Sequence, residues 1–166
     1  MTFKGLTFEA TARGVQAITA NGDVVVENCE TSDSQIAHMV YINGSAGSVV
    51  ICDCTSSRPF ADIEAKSDVC TLLIEGCSFN GGYDVYAVTC TSKLINVTFR
   101  NVSFSKPLVR VYNNQLTTVS NVVFEGNEGG NLFNSINETV QGVISAAIAS
   151  DELVGAVQNG TNFVQA

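Results

Sequence analysis

Apolar residues in this chain recur in short runs at a nearly constant spacing. Each run contains an apolar anchor residue, and the five clearest runs lie in segments 24–31, 49–56, 72–79, 97–104 and 122–129. Their anchors are Val26, Ile51, Ile74, Phe99 and Phe124. A weaker copy, with Phe8 as its anchor, precedes them. A repeat of about 20–30 residues built on short apolar runs is typical of a solenoid, in which successive coils stack.

A second apolar segment follows each anchor, and clusters of Gly, Asn and Ser separate the two segments. The spacing leaves no room for a helix within a unit, so each unit is predicted to consist of short strands joined by turns. We expect an all-β fold, a parallel β-helix (solenoid) of about six coils of roughly 23–25 residues over residues 1–137. Residues 138–166 are expected to form a C-terminal cap or final coil of the same domain.

The C-terminal segment 138–157 fits two interpretations. Val140, Val143, Ile144, Ala147 and Ile148 lie at helical spacing on one stripe. Ile148 also follows the last anchor, Phe124, at the spacing of one more coil. Under both interpretations the segment covers the open end of the last coil, where a strand edge would otherwise be exposed.

The residue two positions after each anchor is of a type that tolerates a positive φ angle. These residues, Asn28, Asp53, Gly76, Asn101 and Gly126, are predicted to form a turn ladder that directs the next side chain inward. Three of the next side chains are Cys29, Cys54 and Cys77, which we expect to stack in the core. Three thiols in one column cannot all pair with each other, so these cysteines are expected to be mostly reduced.

The succession of strand, Asn or Gly turn and strand resembles the right-handed parallel β-helix, or pectate-lyase-like, superfamily, whose members often have a ladder of Asn at such a turn. The stretch VVFEGNEGG also resembles the FxxN repeat of polymorphic outer-membrane adhesins, through Phe124 and Asn127. The fold resemblance covers about residues 5–140 and implies a right-handed coil. The motifs NTD, DD, GHG and RIK, which are typical of polygalacturonases, do not occur in the sequence.

Side chains alternate between the two faces of a strand, so the residue before each anchor is predicted to face outward. This column is Val25, Val50, Leu73, Thr98 and Val123, and it is mostly apolar. An exposed apolar stripe is typical of an interface, although the tail or a loop could equally cover it. The column after the anchor is Glu9, Glu27, Cys52, Glu75, Arg100 and Glu125, for which we expect a surface ladder of charges.

The second apolar segment of each unit predicts another outward face. If Val40, Ile63, Val85 and Val109 point inward, aromatic and charged side chains point outward. These are Tyr41, Asp62, Glu64, Asp84, Tyr86, Arg110 and Tyr112. Aromatic rings can stack on sugar rings while carboxylates and a guanidinium bind hydroxyl groups, so the strip is a candidate ligand-binding face. An ordinary solvated face, or a contact with a partner subunit, fits the same pattern.

The composition argues against several classes of function. Sixteen acidic and eight basic residues give a net charge of −8, so no nucleic-acid partner is expected. No apolar run reaches the roughly 18 residues of a membrane-spanning helix, so no membrane insertion is expected. No CxxC pair occurs and His38 is the only His, so we expect no metal and no cofactor. The localisation is unknown from the sequence, and reduced cysteines favour synthesis in a reducing cytoplasm.

Three functions follow as hypotheses. The first is a non-catalytic structural or assembly module, a homo-oligomer (with a trimer favoured) that associates through the outer apolar column, as in virion decoration proteins, spikes or surface assemblies. The alternative is a carbohydrate-binding or adhesin-type surface module. The third is a polysaccharide lyase or hydrolase, with its acid and base among Asp62, Glu64 and Asp84. Because the motifs of the β-helix enzymes are absent, we expect that the protein is not an enzyme.

Overall fold

A computed structural model gives the fold of the chain and describes residues 1–8, 13–17, 22–31, 38–42, 47–56, 62–65, 70–80 and 86–166. The strands up to residue 111 are β1 (Thr2–Lys4), β2 (Thr7–Phe8), β3 (Arg13–Ala17), β4 (Val24–Glu27), β5 (Glu30–Thr31), β6 (His38–Ile42), β7 (Ser48–Cys52), β8 (Thr55–Ser56), β9 (Asp62–Ala65), β10 (Thr71–Glu75), β11 (Ser78–Phe79), β12 (Val88–Cys90), β13 (Lys93–Arg100), β14 (Ser103–Phe104) and β15 (Val109–Val111). The elements that follow are β16 (Thr118–Glu125), helix α1 (Glu138–Ala149), β17 (Leu153–Val154), β18 (Ala156–Asn159) and β19 (Asn162–Gln165).

Three parallel sheets form the body of the molecule. The first has the strand order β1-β4-β7-β10-β13-β16-β17, the second β14-β11-β8-β5-β2 and the third β15-β12-β9-β6-β3. Strands β1 to β15 therefore fall into successive sets of three, and each set gives one strand to each sheet. Each strand pairs with its copy in the neighbouring set, as stacked coils require. The predicted fold class, an all-β parallel β-helix, is confirmed.

The anchor residues form a continuous column inside the first sheet. Neighbouring anchors are in register, and Val26, Ile51, Ile74, Phe99 and Phe124 are all buried. The rings of Phe99 and Phe124 stack, with centroids 5.0 Å apart and planes 3° apart. Burial of side chains of this size contributes about 1.5–3 kcal/mol each, so this column is a main source of the stability of the fold.

The first coil begins earlier in the chain than predicted. Phe3, and not Phe8, is in register with Val26 and packs against the core. Phe8 lies in β2, in the second sheet. The step from Phe3 to Val26 equals the step from Ile51 to Ile74, and Gly5 follows Phe3 at the offset of the turn ladder. The prediction of Phe8 was wrong. The residues around Phe8 match the apolar and acidic pattern of the other runs over a longer stretch, but Phe3 lies at the better distance from Val26.

The turn ladder lies where the first sheet meets the second. Its φ angles are 53° at Asn28, 52° at Asp53, 61° at Gly76, 52° at Asn101 and 62° at Gly126. A Cβ atom added to Gly76 would lie 2.6 Å from Oδ1 of Asp53, and one added to Gly126 would lie 2.6 Å from Oδ1 of Asn101. At both positions φ is positive, a conformation that Gly adopts without strain, and an added Cβ atom would also have to displace the end of the side chain from the preceding coil.

A second turn ladder was missed by the sequence analysis. Asn96 and Asn121 have φ angles of 57° and 52°, and Nδ2 of Asn121 donates to Oδ1 of Asn96 at 2.9 Å. The carboxylate of Glu152 accepts hydrogen bonds from the Ser120 hydroxyl at 2.7 Å and from the Asn121 N–H at 3.0 Å. These two bonds lower the pKa of Glu152. The signal was available, because the two Asn residues occupy the same position relative to their anchors, Phe99 and Phe124.

Residues 138–166 combine both interpretations of the tail. Helix α1 begins at an N-cap, Asn137, whose side chain accepts a hydrogen bond from the Val140 N–H at 3.0 Å. The helix buries Val140, Ile144 and Ala147, as the predicted stripe requires. The chain then returns to the first sheet as β17, with Leu153 paired to Val122, and ends in the antiparallel pair β18–β19. Residue Leu153, and not Ile148, therefore continues the coil.

The third sheet is less regular than the first. Its register shifts between His38 and Val40, where β6 pairs with β9. In the next coil, Val88 is in register with both Ile63 and Val109 and is fully buried. The strand therefore lies later in the chain than the predicted inward position, Val85, which is outside the described residues.

Candidate functional site

A continuous row of side chains runs along the outer face of the first sheet. The register connects Thr2, Val25, Val50, Leu73, Thr98, Val123 and Val154, one from each strand. We call these seven residues the outer row. The five predicted members are all half-buried, and Val154 is 49% exposed. A solvent-facing column of a sheet is normally polar, so this mostly apolar row is unusual for an outer face.

The last member of the outer row could not be predicted from the spacing. Val154 follows Val123 by more than one repeat length, because helix α1 lies between β16 and β17. The tail therefore extends the outer row by one strand. It leaves Val154 exposed at the end of the row, which argues against the alternative that the tail covers the stripe.

A second row runs parallel to the outer row, two positions further along each strand. The register connects Lys4, Glu27, Cys52, Glu75, Arg100 and Glu125, and we call these six residues the charge row. Lys4 takes the place expected for Glu9, which lies outside the described residues, because the first coil begins at Phe3.

Ion pairs connect neighbouring members of the charge row. Lys4 Nζ lies 2.9 Å from Oε1 of Glu27. Arg100 Nε lies 2.9 Å from Oε2 of Glu125, and its Nη1 lies 3.5 Å from Oε1 of Glu75. The hydrogen bond to Glu27 raises the pKa of Lys4, and the bond to Glu125 raises the pKa of Arg100. The ladder of charges is therefore real, and its side chains remain accessible to solvent, since Lys4 and Glu125 are 63% and 60% exposed.

Cys52 is the neutral member of the charge row. Its side chain is half-buried, and burial raises its pKa, with further contributions from the carboxylates of Glu27, Asp53 and Glu75. A thiol with a raised pKa stays protonated at neutral pH and is a poor nucleophile. Cys52 therefore lacks the lowered pKa that is typical of a catalytic cysteine.

The three stacked cysteines lie on the inner side of the same sheet. Cys29, Cys54 and Cys77 are buried free thiols. The Cys29 N–H donates to Sγ of Cys54 at 3.4 Å, and the Cys77 thiol donates to the carbonyls of Glu75 at 3.4 Å and Ile51 at 3.5 Å. A side-chain hydrogen bond between Cys77 and Cys54 raises the pKa of Cys77, and burial raises it further. These contacts give the cysteines a packing role.

Asn127 occupies the cysteine position in the last coil and closes the column. Its Oδ1 accepts from the Val102 N–H at 3.0 Å, and its Nδ2 donates to the Phe99 carbonyl at 3.1 Å. The same Nδ2 donates to Oε1 of Gln165 at 2.8 Å, and Nε2 of Gln165 donates to the Phe124 carbonyl at 3.1 Å. The polar residue of the FxxN-like stretch therefore joins the C-terminal strand to the end of the coil.

The predicted ligand-binding strip is assembled only in part. Arg110 lies with its guanidinium carbon 5.5 Å from the ring centroid of Tyr86 and 5.5 Å from that of Tyr112. We call these three residues the arginine cluster. Tyr112 belongs to a 3-10 turn, Tyr112–Asn114, and is 46% exposed. Cation–π contacts of this kind hold a guanidinium against aromatic faces.

Three of the other four members of the strip lie in strands of the third sheet. Tyr41 lies in β6 and is in register with Glu64 in β9, which also contains Asp62. Asp84 lies outside the described residues. The residue in register with Arg110 is Thr89, because β12 begins at Val88.

Comparison with known proteins gives no match: no family model fits the chain, and no curated protein or solved structure is detectably similar to it. Within the described ranges, no three His, Cys, Asp or Glu side chains converge as metal ligands. Among the described residues, no helix is long and apolar enough to cross a membrane.

Proposed function

We propose that this protein is a non-catalytic assembly module that associates with itself through the outer face of the first sheet. The observation that supports this most strongly is the outer row, which runs across seven paired strands. Neighbouring strands are about 4.8 Å apart, so the row is about 30 Å long. Burial of such a stripe against a partner removes its remaining apolar surface from water, at roughly 25 cal/mol per Å².

The charge row supports the same proposal. Interfaces combine a central apolar patch with a polar rim that sets orientation and excludes wrong partners. Here the apolar and charged columns run side by side on one face. A decoration, spike-like or surface assembly would use such a module as a rigid building unit, and we propose the right-handed pectate-lyase-like superfamily as its family.

Charged substitutions in the middle of the outer row test this proposal. Val50→Glu and Leu73→Glu place carboxylates at the centre of the proposed contact, where desolvation is costly. We expect both variants to be monomers by light scattering, with unchanged far-UV circular dichroism. Thr55→Glu, an exposed position in the second sheet, is the matched control and should keep the wild-type mass. Unchanged mass in the Val50 and Leu73 variants would refute the interface.

The arginine cluster favours a second candidate, a carbohydrate-binding or adhesin-type module. Two tyrosine rings flank one guanidinium at the surface, and such groups suit the stacking and hydrogen bonding of sugars. Tyr86→Ala and Arg110→Ala should then abolish binding to a glycan array without unfolding the protein. Absence of binding by the wild-type chain across a broad array would eliminate this candidate.

A further inference from the structure

The charge row has an order of signs that is complementary to its own reverse. From the first strand to the sixth, its members are Lys4 (positive), Glu27 (negative), Cys52 (neutral), Glu75 (negative), Arg100 (positive) and Glu125 (negative). When the row is placed against an inverted copy, the first residue meets the sixth and the second meets the fifth. Both of these contacts pair opposite charges. At the centre, the thiol of Cys52 faces the carboxylate of Glu75.

We propose that the partner is a second copy of this chain. The first sheets of the two copies pack face to face, and the axes of the two β-helices are antiparallel. This inference rests on the proposed function and specifies its geometry. The two-fold axis runs along the strand direction and passes between β7 and β10. Such an axis preserves the strand direction and reverses the order of the coils, so each row meets its own copy in reverse. Arg100 then faces Glu27 of the partner subunit, and Lys4 faces Glu125 of the partner subunit.

The outer row is compatible with the same axis. Val50 faces Leu73 of the partner subunit at the centre of the contact, and Val25 faces Thr98 of the partner subunit. Thr2 faces Val123 of the partner subunit near each end, and the exposed Val154 lies at the rim. Two sheets that pack face to face are about 10 Å apart, a distance that side chains of this size can fill.

Other arrangements of the same two faces lack this complementarity. A shift of one coil in one direction places Lys4 against Arg100 and Glu27 against Glu75, and a shift in the other direction places Glu27 against Glu125. In a parallel arrangement, the charge row meets either its own copy at equal height, with like charges, or the mostly uncharged column that includes Ser48 and Thr71. Like charges across an interface are unfavourable, so the charges select the antiparallel dimer over the trimer expected from the sequence.

The ion pairs within each chain can persist in the dimer. A carboxylate accepts several hydrogen bonds, and an ammonium or guanidinium group donates more than one. Glu125 uses Oε2 for Arg100, and Glu27 uses Oε1 for Lys4. The contact therefore extends two existing ladders into one network across the interface.

A charge swap tests the arrangement, with sedimentation velocity over a concentration series as the measurement. Arg100→Glu creates two symmetric repulsions with Glu27 of the partner subunit, and we expect at least a tenfold weaker dimer. Adding Glu27→Arg restores opposite charges across the antiparallel interface and should return the dissociation constant to within about threefold of wild type. Lys106→Glu makes the same change of charge at an exposed position outside the first sheet and should have no effect.

The outcomes separate this inference from the proposed function. A wild-type monomer would refute both, and a wild-type trimer would refute only the antiparallel dimer. A double variant as weak as Arg100→Glu alone would also overturn the arrangement. If a variant does not fold, carbodiimide cross-linking of the wild-type protein decides. Lys4 and Glu125 of one chain are five coils apart, about 24 Å, so an amide between them forms only between two chains, and the antiparallel dimer places the two residues in contact. The Lys4–Glu27 product within one chain is the internal control, and its formation without a Lys4–Glu125 product would refute the dimer.

Discussion

The first and third sheets are built from the same repeats, yet their outer faces differ. The first sheet keeps one register across seven strands, from Thr2 to Val154, and its outer residues form two straight rows. The third sheet has a register shift at β6, and β12 begins later than the repeat predicts. Three of its seven candidate residues, Tyr86, Arg110 and Tyr112, form one local group.

The difference shows how a solenoid produces two kinds of surface. Unbroken register converts a repeated residue type into an extended stripe, which suits a long flat partner. In the third sheet, Tyr86 and Tyr112 lie just outside β12 and β15, and they bring two aromatic rings to Arg110 in one local group, which suits a small ligand. The buried anchor column beneath the first sheet is what maintains its register.

The largest expected effect comes from breaking that anchor column. Phe124→Ala removes a ring that stacks on Phe99 and contacts Phe133 edge-on, with centroids 5.9 Å apart. We expect the free energy of unfolding to fall by about 3–5 kcal/mol, measured by denaturant unfolding. A loss below about 1 kcal/mol would mean that the column does not determine the stability of the first sheet.

The next effect comes from separating β17 from the first sheet. Gly155 has a φ of 85°, and an added Cβ atom would overlap the Phe124 carbonyl oxygen. Gly155→Ala should therefore destabilise the protein by at least about 2 kcal/mol. Gly142→Ala, in an exposed part of helix α1 with open space around it, is the control and should stabilise by about 0.5–1 kcal/mol. Equal effects of the two substitutions would contradict the close contact.

A smaller loss of stability is expected when the hydrogen bonds of Asn127, at the end of the cysteine column, are removed. Asn127→Leu removes the acceptor of the buried Val102 N–H and the donor to the Phe99 carbonyl. We expect a loss of about 1–3 kcal/mol, together with faster hydrogen exchange of the Val102 amide. If the exchange rate of that amide does not change, Asn127 is not what closes the column.

The smallest effect is expected at the third sheet. Arg110→Ala removes two cation–π contacts, from Tyr86 and Tyr112, and should lower the free energy of unfolding by about 0.5–1 kcal/mol. The oligomeric state should remain that of the wild type, because the cluster lies on a different face from the outer row. Dissociation of the assembly by this variant would show that the third sheet is the interface.

Much of this architecture is encoded in local signals. Alternation around Ile51 and Ile74, followed by Asp53 and Gly76, specifies a strand and a turn within a short stretch of sequence. These signals repeat at one spacing, so the anchor column and the turn ladder can be derived without a structure.

Other features depend on contacts that the local pattern does not specify. The stretch around Val88 alternates in a way that fits a strand beginning at Val85 equally well, and only pairing with neighbouring coils selects one. Val154 joins the outer row after a helical insertion that breaks the repeat. The arginine cluster joins Arg110 to two tyrosines that lie just outside β12 and β15, so the alternation pattern identified its members but not their contacts.

The central claim is that the outer row is an interface, and the mass of the wild-type protein in solution tests it most directly. Light scattering with and without a reductant measures that mass independently of any disulfide. We predict a dimer, twice the chain mass of 17.5 kDa, that is insensitive to reductant because its contacts are apolar and ionic and involve no disulfide. A monomer at all concentrations would contradict the account and make the arginine cluster the leading site.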